Sequence, residues 1–190
     1  FQIVLARQLG PETFGIYSIV ITFSAIFIIF SNFGLDVLVA RDIAIARENG
    51  SKYLGNLSLL KIPLSALTIL VMVAVAIVSG YSKAVILLVT LAAISTASLS
   101  YNRFFFGFFR AFGILKYEAY ISAVDRMASS LLGIGLLVIG FGLISIFFSA
   151  SIISIGASLI GFYILKKKFI SAPVYSLDYT FNRKILKDAT

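Results

Sequence analysis

The sequence contains no cysteine, no histidine and no tryptophan, and only 13% of its residues are charged. Without cysteine there are no disulfides, thiolate metal sites or thiol nucleophiles, and without histidine the commonest proton shuttle and metal ligand is missing. The expectation is a protein with no metal site, no cofactor and no enzymatic chemistry of its own. Without tryptophan, any aromatic belt at a lipid–water boundary must be built from phenylalanine and tyrosine. The scarcity of charge is the most restrictive absence, because soluble domains carry about 25% charged residues. What fills the space instead is 60% apolar residues and a mean hydropathy of +1.04 across 190 residues. A multi-pass chain in a bilayer is the reading that follows. The formal charge of +8 is then a sign of contact with anionic membrane lipid and of basic loops on one side, with no nucleic acid implied.

Charged residues punctuate the chain and mark its spans. Residues 1–9 read as the tail of a first helix closed by Gly10-Pro11, a turn pair that also suits the start of the next helix. Thr13 to Leu35 is free of charge, long enough to cross about 30 Å of hydrocarbon. Gly34 ends this span, and Val37 to Glu48 suits an amphipathic helix lying in the interface. A third span is expected from Tyr53 to Ser79, with Lys61 and Pro63 in its first half, and a fourth from Ala84 to Phe109. The uncharged stretch between Arg126 and Lys166 would reach roughly 58 Å as one helix, about two crossings, so it must reverse. Gly140-Phe141-Gly142 is the reversal, between a fifth span starting near Tyr117 and a sixth over Leu143 to Leu165. The expected fold is therefore all-α: a polytopic membrane helix bundle over 1–168, with a partial first helix plus five full spans. Residues 169–190 read as a cytoplasmic linker, and both ends of the chain read as cuts in a longer protein.

Basic residues set the orientation. If the Gly10-Pro11 turn faces outside, the inner loops hold Arg41, Arg47, Lys52, Arg110, Lys116, Lys166, Lys167, Lys168, Arg183, Lys184 and Lys187. The outer loops hold only Arg7 and Lys83, a strong positive-inside asymmetry.

Polar residues at helical spacing show which faces meet protein or water. The third span carries Ser58, Lys61, Ser65 and Thr68; the fourth Thr96, Ser100, Arg103, Gly107 and Arg110; the fifth Glu118, Ser122, Asp125, Ser129 and Gly133. Ser151, Ser154, Ser158 and Gly161 in the sixth span are small and suit close helix packing. An ionised group near the bilayer centre costs at least about 2.5 kcal/mol and needs a partner or water. Arg103 and Arg110 share a face about 10 Å apart by helical rise, and two guanidiniums so placed, with Gly107 between them, can hold a phosphate or diphosphate. Snorkelling to the headgroups is the plainer alternative for both. Asp125 and Arg126 point in different directions and are expected to find partners on other helices. Lys61 beside Pro63 suggests a locally distorted helix near a polar site, and Asp36 reads as a solvated helix end.

Three stretches resemble a known family. They are Ala6-Arg7-Gln8-Leu9-Gly10-Pro11-Glu12-Thr13-Phe14-Gly15-Ile16-Tyr17, then Asn32-Phe33-Gly34-Leu35 with Val39-Ala40-Arg41-Asp42-Ile43-Ala44, and Phe109-Arg110-Ala111-Phe112-Gly113 followed by Tyr117 and Tyr120. Together they resemble the prokaryotic polysaccharide flippases, the O-antigen and exopolysaccharide exporter branch of the multidrug/oligosaccharidyl-lipid/polysaccharide superfamily. The resemblance implies a transporter of two six-helix lobes in the cytoplasmic membrane, with this chain supplying most of the first lobe. Its substrate would be a polyprenyl-phosphate-linked glycan moved outward by alternating access, with H+ or Na+ as coupling ion. Arg41, Arg103, Arg110 and Arg126 match the basic lining of such a cavity, and Lys61 and Asp125 join them as candidates from the polar stripes.

Three other readings compete. A membrane-bound glycosyltransferase needs metal ligands or carboxylates in substantial loops, whereas the outer turns here are very short. A drug/cation antiporter of the same superfamily would favour buried acids over an arginine stripe. A passive scaffold would show similar stripes simply from helix packing.

Overall fold

In lipid, every backbone N–H and C=O must find its partner within its own segment, so long uncharged runs fold as helices. A computed structural model describes residues 2–169, and the rest of the expected linker, with Arg183, Lys184 and Lys187, lies outside the described residues. The elements are α1 (Gln2–Asn32), α2 (Leu35–Ile45), α3 (Gly50–Val78), α4 (Lys83–Ala111), α5 (Leu115–Val138) and α6 (Gly142–Lys168). A short 3-10 turn, Arg47–Asn49, joins α2 to α3. Among the described residues, five helical stretches are long and apolar enough to cross a membrane. The chain is a multi-pass, all-helical bundle.

The expected turn at Gly10-Pro11 is where α1 breaks into two helical pieces. Gly10 has φ 74° and ψ 167°, with helix on both sides. Pro11 then opens the second piece, where its missing N–H has no helical partner to lose. The second crossing closes at Phe33 and Gly34, both at positive φ (46° and 67°). Gly140 and Gly142, at φ 97° and 69°, make the reversal between α5 and α6. α3 runs helical through Pro63 with no non-helical residue inside it, so the distortion expected there does not reach the backbone dihedrals.

α4 is the hub and packs against α1, α2, α3 and α6. α5 lies chiefly against α6 and touches α4 only lightly. That uneven packing opens a space between α4 and α5. The buried face of α2, formed by Leu35, Leu38, Val39 and Ile43, seats against the phenylalanine-rich end of α4. Val37, Arg41 and Ile45 on its other faces are exposed, as an interfacial helix requires. One core cluster joins α2 and the start of α3 to the ends of α4 and α6, around Phe104, Phe108 and Phe109. A second sits at the opposite end, around Tyr17, Val20, Met72, Val89 and Phe147. Arg41, Arg47, Lys52, Arg110, Lys116 and Lys166 to Lys168 therefore gather at one end of the bundle.

Small residues bring α6 close to α4. Ser151 and Ser154 are buried, and the Ser151 hydroxyl lies 2.8 Å from the Leu91 carbonyl of α4. A Cβ on Gly161 would stand 3.3 Å from the Phe105 ring.

Candidate functional site

Arg103 and Arg110 from α4 and Arg126 from α5 line one cavity of about 480 Å³. Three carboxylates line it too: Asp36 at the start of α2, and Glu118 and Asp125 on α5. The heptad spacing of Arg103 and Arg110 is what places both on the face of α4 that looks toward α5. Light α4–α5 packing leaves room for their side chains.

The six charges are held differently. Arg110 and Glu118 form a two-pronged ion pair, with Nε donating to Oε2 at 2.9 Å and Nη2 donating to Oε1. Asp36 accepts from the Asn32 amide at 2.6 Å, one turn earlier in the chain. Arg103 and Arg126 make no hydrogen bond or ion pair among the described residues, and both are exposed to the cavity or its mouth. Asp125 is half-buried, and its Oδ1 is enclosed with no hydrogen-bond partner. Among the described residues, neither Asp125 nor Arg126 has the partner on another helix that was expected. The Asn102 Oδ1, also in the lining, is likewise buried and unpaired. Two free guanidiniums facing one partly open cavity can accept a multiply charged oxyanion, since each planar fork matches two phosphate or carboxylate oxygens.

A second cavity of about 260 Å³ adjoins the first, sharing Leu99 and Asp125. Its wall presents hydroxyls from Tyr17, Ser24, Ser95, Thr96, Ser129 and Ser130. A charged cavity thus runs into a mostly apolar one with scattered hydroxyls, with Asp125 at the junction.

Two sequence candidates lie elsewhere. Arg41 is exposed on α2, where Nε donates to Asp42 at 2.9 Å, and it does not line the cavity. Lys61 is completely buried between α1, α3 and α4. Its ammonium donates to Ser100 Oγ at 2.7 Å and to the Ser31 carbonyl at 3.5 Å, beneath the rings of Tyr101 and Phe104, each 5.6 Å from Nζ. Gly107, expected to sit between the arginines as part of an anion cradle, serves packing instead. A Cβ there would lie 2.5 Å from the Asp36 carbonyl oxygen, so this glycine is where α2 crosses α4. In the N-terminal motif, Pro11 and Glu12 are exposed and Phe14 and Gly15 half-buried, none of them lining the cavity.

Sequence reasoning missed Asp36 as a cavity carboxylate, having placed it at a solvated helix end. The signal was its spacing of four from Asn32. It also missed the Arg110–Glu118 pair, for which the short connection between α4 and α5 was the available clue.

A bundle of membrane-spanning helices with a charged, partly open chamber between two of them defines a polytopic membrane protein. A family model described as polysaccharide biosynthesis protein matches residues 1–190, the whole chain. The chain belongs to that family. Neither the search of curated proteins nor the search of solved structures returned a match.

Proposed function

We propose that this chain forms the first helical lobe of a flippase that moves a polyprenyl-phosphate-linked oligosaccharide across the cytoplasmic membrane of a prokaryote by alternating access. The observation that carries this reading is the pair of guanidiniums, Arg103 and Arg126, without a hydrogen bond or ion pair among the described residues, facing each other's helix across a polar cavity inside an otherwise apolar bundle. Isolated charges at membrane depth are costly and mark substrate or ion pathways. The diphosphate of a lipid-linked sugar supplies the charge they lack. The adjoining cavity, mostly apolar with scattered hydroxyls, suits the apolar faces and hydroxyls of sugar rings, and the lipid tail remains in the bilayer. Arg110, tied to Glu118, contributes field to the cavity while its geometry is held by the ion pair.

Flipping of a fluorescent lipid-linked oligosaccharide by reconstituted protein tests the assignment. Arg103→Ala with Arg126→Ala should slow flipping at least about tenfold at equal protein level, because each charged hydrogen bond contributes about 1.5–3 kcal/mol. An unchanged rate would remove these residues from the pathway.

Asp125 favours a second reading within the same superfamily, that of a cation-coupled antiporter. A buried carboxylate oxygen without a donor is suited to H+ or Na+. Cation-driven drug export that is lost in Asp125→Asn, with no flipping of lipid-linked sugar by the unaltered protein, would favour the antiporter.

A further inference from the structure

We propose that the outer groove between α5 and α6 binds one anionic phospholipid of the bilayer, with its phosphate held by Lys116 and Lys168 and an acyl chain laid against Ile121, Val124 and Ile160. The groove has a volume of about 330 Å³ and a surface almost entirely of carbon, with Asp125, two turns of α5 away from the Tyr117 end, the one acidic residue in its lining. Its floor on α6 follows the stripe Ile153, Ala157, Ile160 and Ile164. Lys168 is the next member of that stripe, four residues beyond Ile164.

Its ammonium donates to the Tyr117 hydroxyl at 2.8 Å and stands 5.1 Å from the ring centroid, and Tyr117 is itself a wall of the groove. Lys116 stands 5.5 Å from the centroid of the same ring. One end of an apolar trough is thus closed by a tyrosine carrying two ammonium groups, while the nearest acid on α5, Glu118, is turned to Arg110 and the charged cavity.

Length identifies the occupant. Ile153 to Ile164 covers about 16 Å by helical rise, close to the roughly 15 Å of one leaflet, half the hydrocarbon core. The cationic end coincides with the basic end of the bundle, where an inner-leaflet phosphate resides. A lipid with its head at Tyr117 and its chain running toward Ile153 satisfies both the charge and the depth. Nothing in this depends on what the charged cavity transports.

Native mass spectrometry of the purified protein with equal phosphatidylglycerol and phosphatidylcholine tests the site. One phosphatidylglycerol per chain should be retained in preference. Lys168→Gln should lower that preference roughly fivefold, and Lys116→Gln by a similar factor. Gly156→Phe should expel the lipid while leaving both lysines in place, because a Cβ on Gly156 meets nothing within 4 Å and the added ring has the groove to enter. Equal retention of the two lipids, unchanged binding in both the lysine and the glycine variants, or displacement of phosphatidylglycerol by equimolar polyprenyl phosphate would each overturn the proposal. Unaltered thermal unfolding of the variants keeps a folding defect from imitating the result.

Discussion

Lys61 and Arg103 are both cations at membrane depth, yet the bundle treats them in opposite ways. Lys61 has no exposure at all and finds two oxygen acceptors and two aromatic faces among its neighbours. Ser100, its main acceptor, donates its own hydroxyl hydrogen bond to the Ser31 carbonyl at 2.9 Å, so the knot joins α1, α3 and α4. Arg103, one turn farther along α4, has no such partner and looks into an open cavity. The first cation is consumed by structure. The second keeps its hydrogen-bonding capacity for something outside the chain, and that contrast separates a packing charge from a binding charge better than depth does.

The largest expected effect comes from emptying the knot. Lys61→Ala leaves a void where a long side chain is fully enclosed and should destabilise the protein by about 2–5 kcal/mol, as large-to-small core changes do. Lys61→Met keeps the volume, and Ser100 keeps its bond to Ser31, so the cost should fall below about 1.5 kcal/mol. Thermal unfolding in detergent reads both. If Lys61→Met folded normally but stopped lipid-linked sugar flipping, the division between the two cations would break, and Lys61 would join the transport pathway.

Next is Gly107→Ala, which drives a methyl group into the Asp36 carbonyl from 2.5 Å. Backbone atoms have no rotamer in which to retreat, so α2 must lift from α4, at about 1–3 kcal/mol. The same shift carries Asp36 away from the cavity. Flipping should slow along with the loss of stability, in contrast to the cavity arginines, whose removal should slow transport with unfolding unchanged.

The span boundaries were largely legible because each is written in local chemistry. Gly80, Gly113, Gly140 and Gly142 all occupy positive φ at the turns, and the lysine run 166–168 stops α6. The facing of the polar stripes was not. Ser58, Lys61, Ser65 and Thr68 do share a side of α3, but helical period cannot tell whether that side meets a cavity or another helix. Lys61 met Ser100 of α4, thirty-nine residues away in sequence. Arg103 and Arg110 were correctly placed together because heptad spacing is local, whereas Asp36 entered their cavity through the crossing of α2 over Gly107, which only tertiary packing decides.

The smallest effect should come from the Arg110–Glu118 pair, and it sharpens the comparison from the other side. The pair is short and two-pronged, but 43% of the arginine side chain is exposed. Pairs that remain in contact with water contribute only about 0.2–1 kcal/mol. A double-mutant cycle with Arg110→Gln and Glu118→Gln should therefore return a coupling within that range. Glu118→Gln alone should do something more informative. It frees a third guanidinium in the cavity and removes one negative charge, so a diphosphate should bind more tightly while stability barely moves. Binding of a soluble polyprenyl diphosphate analogue that weakened in Glu118→Gln would mean that the ion pair positions Arg110 for the ligand, and Arg110 would then join Arg103 and Arg126 as a binding charge.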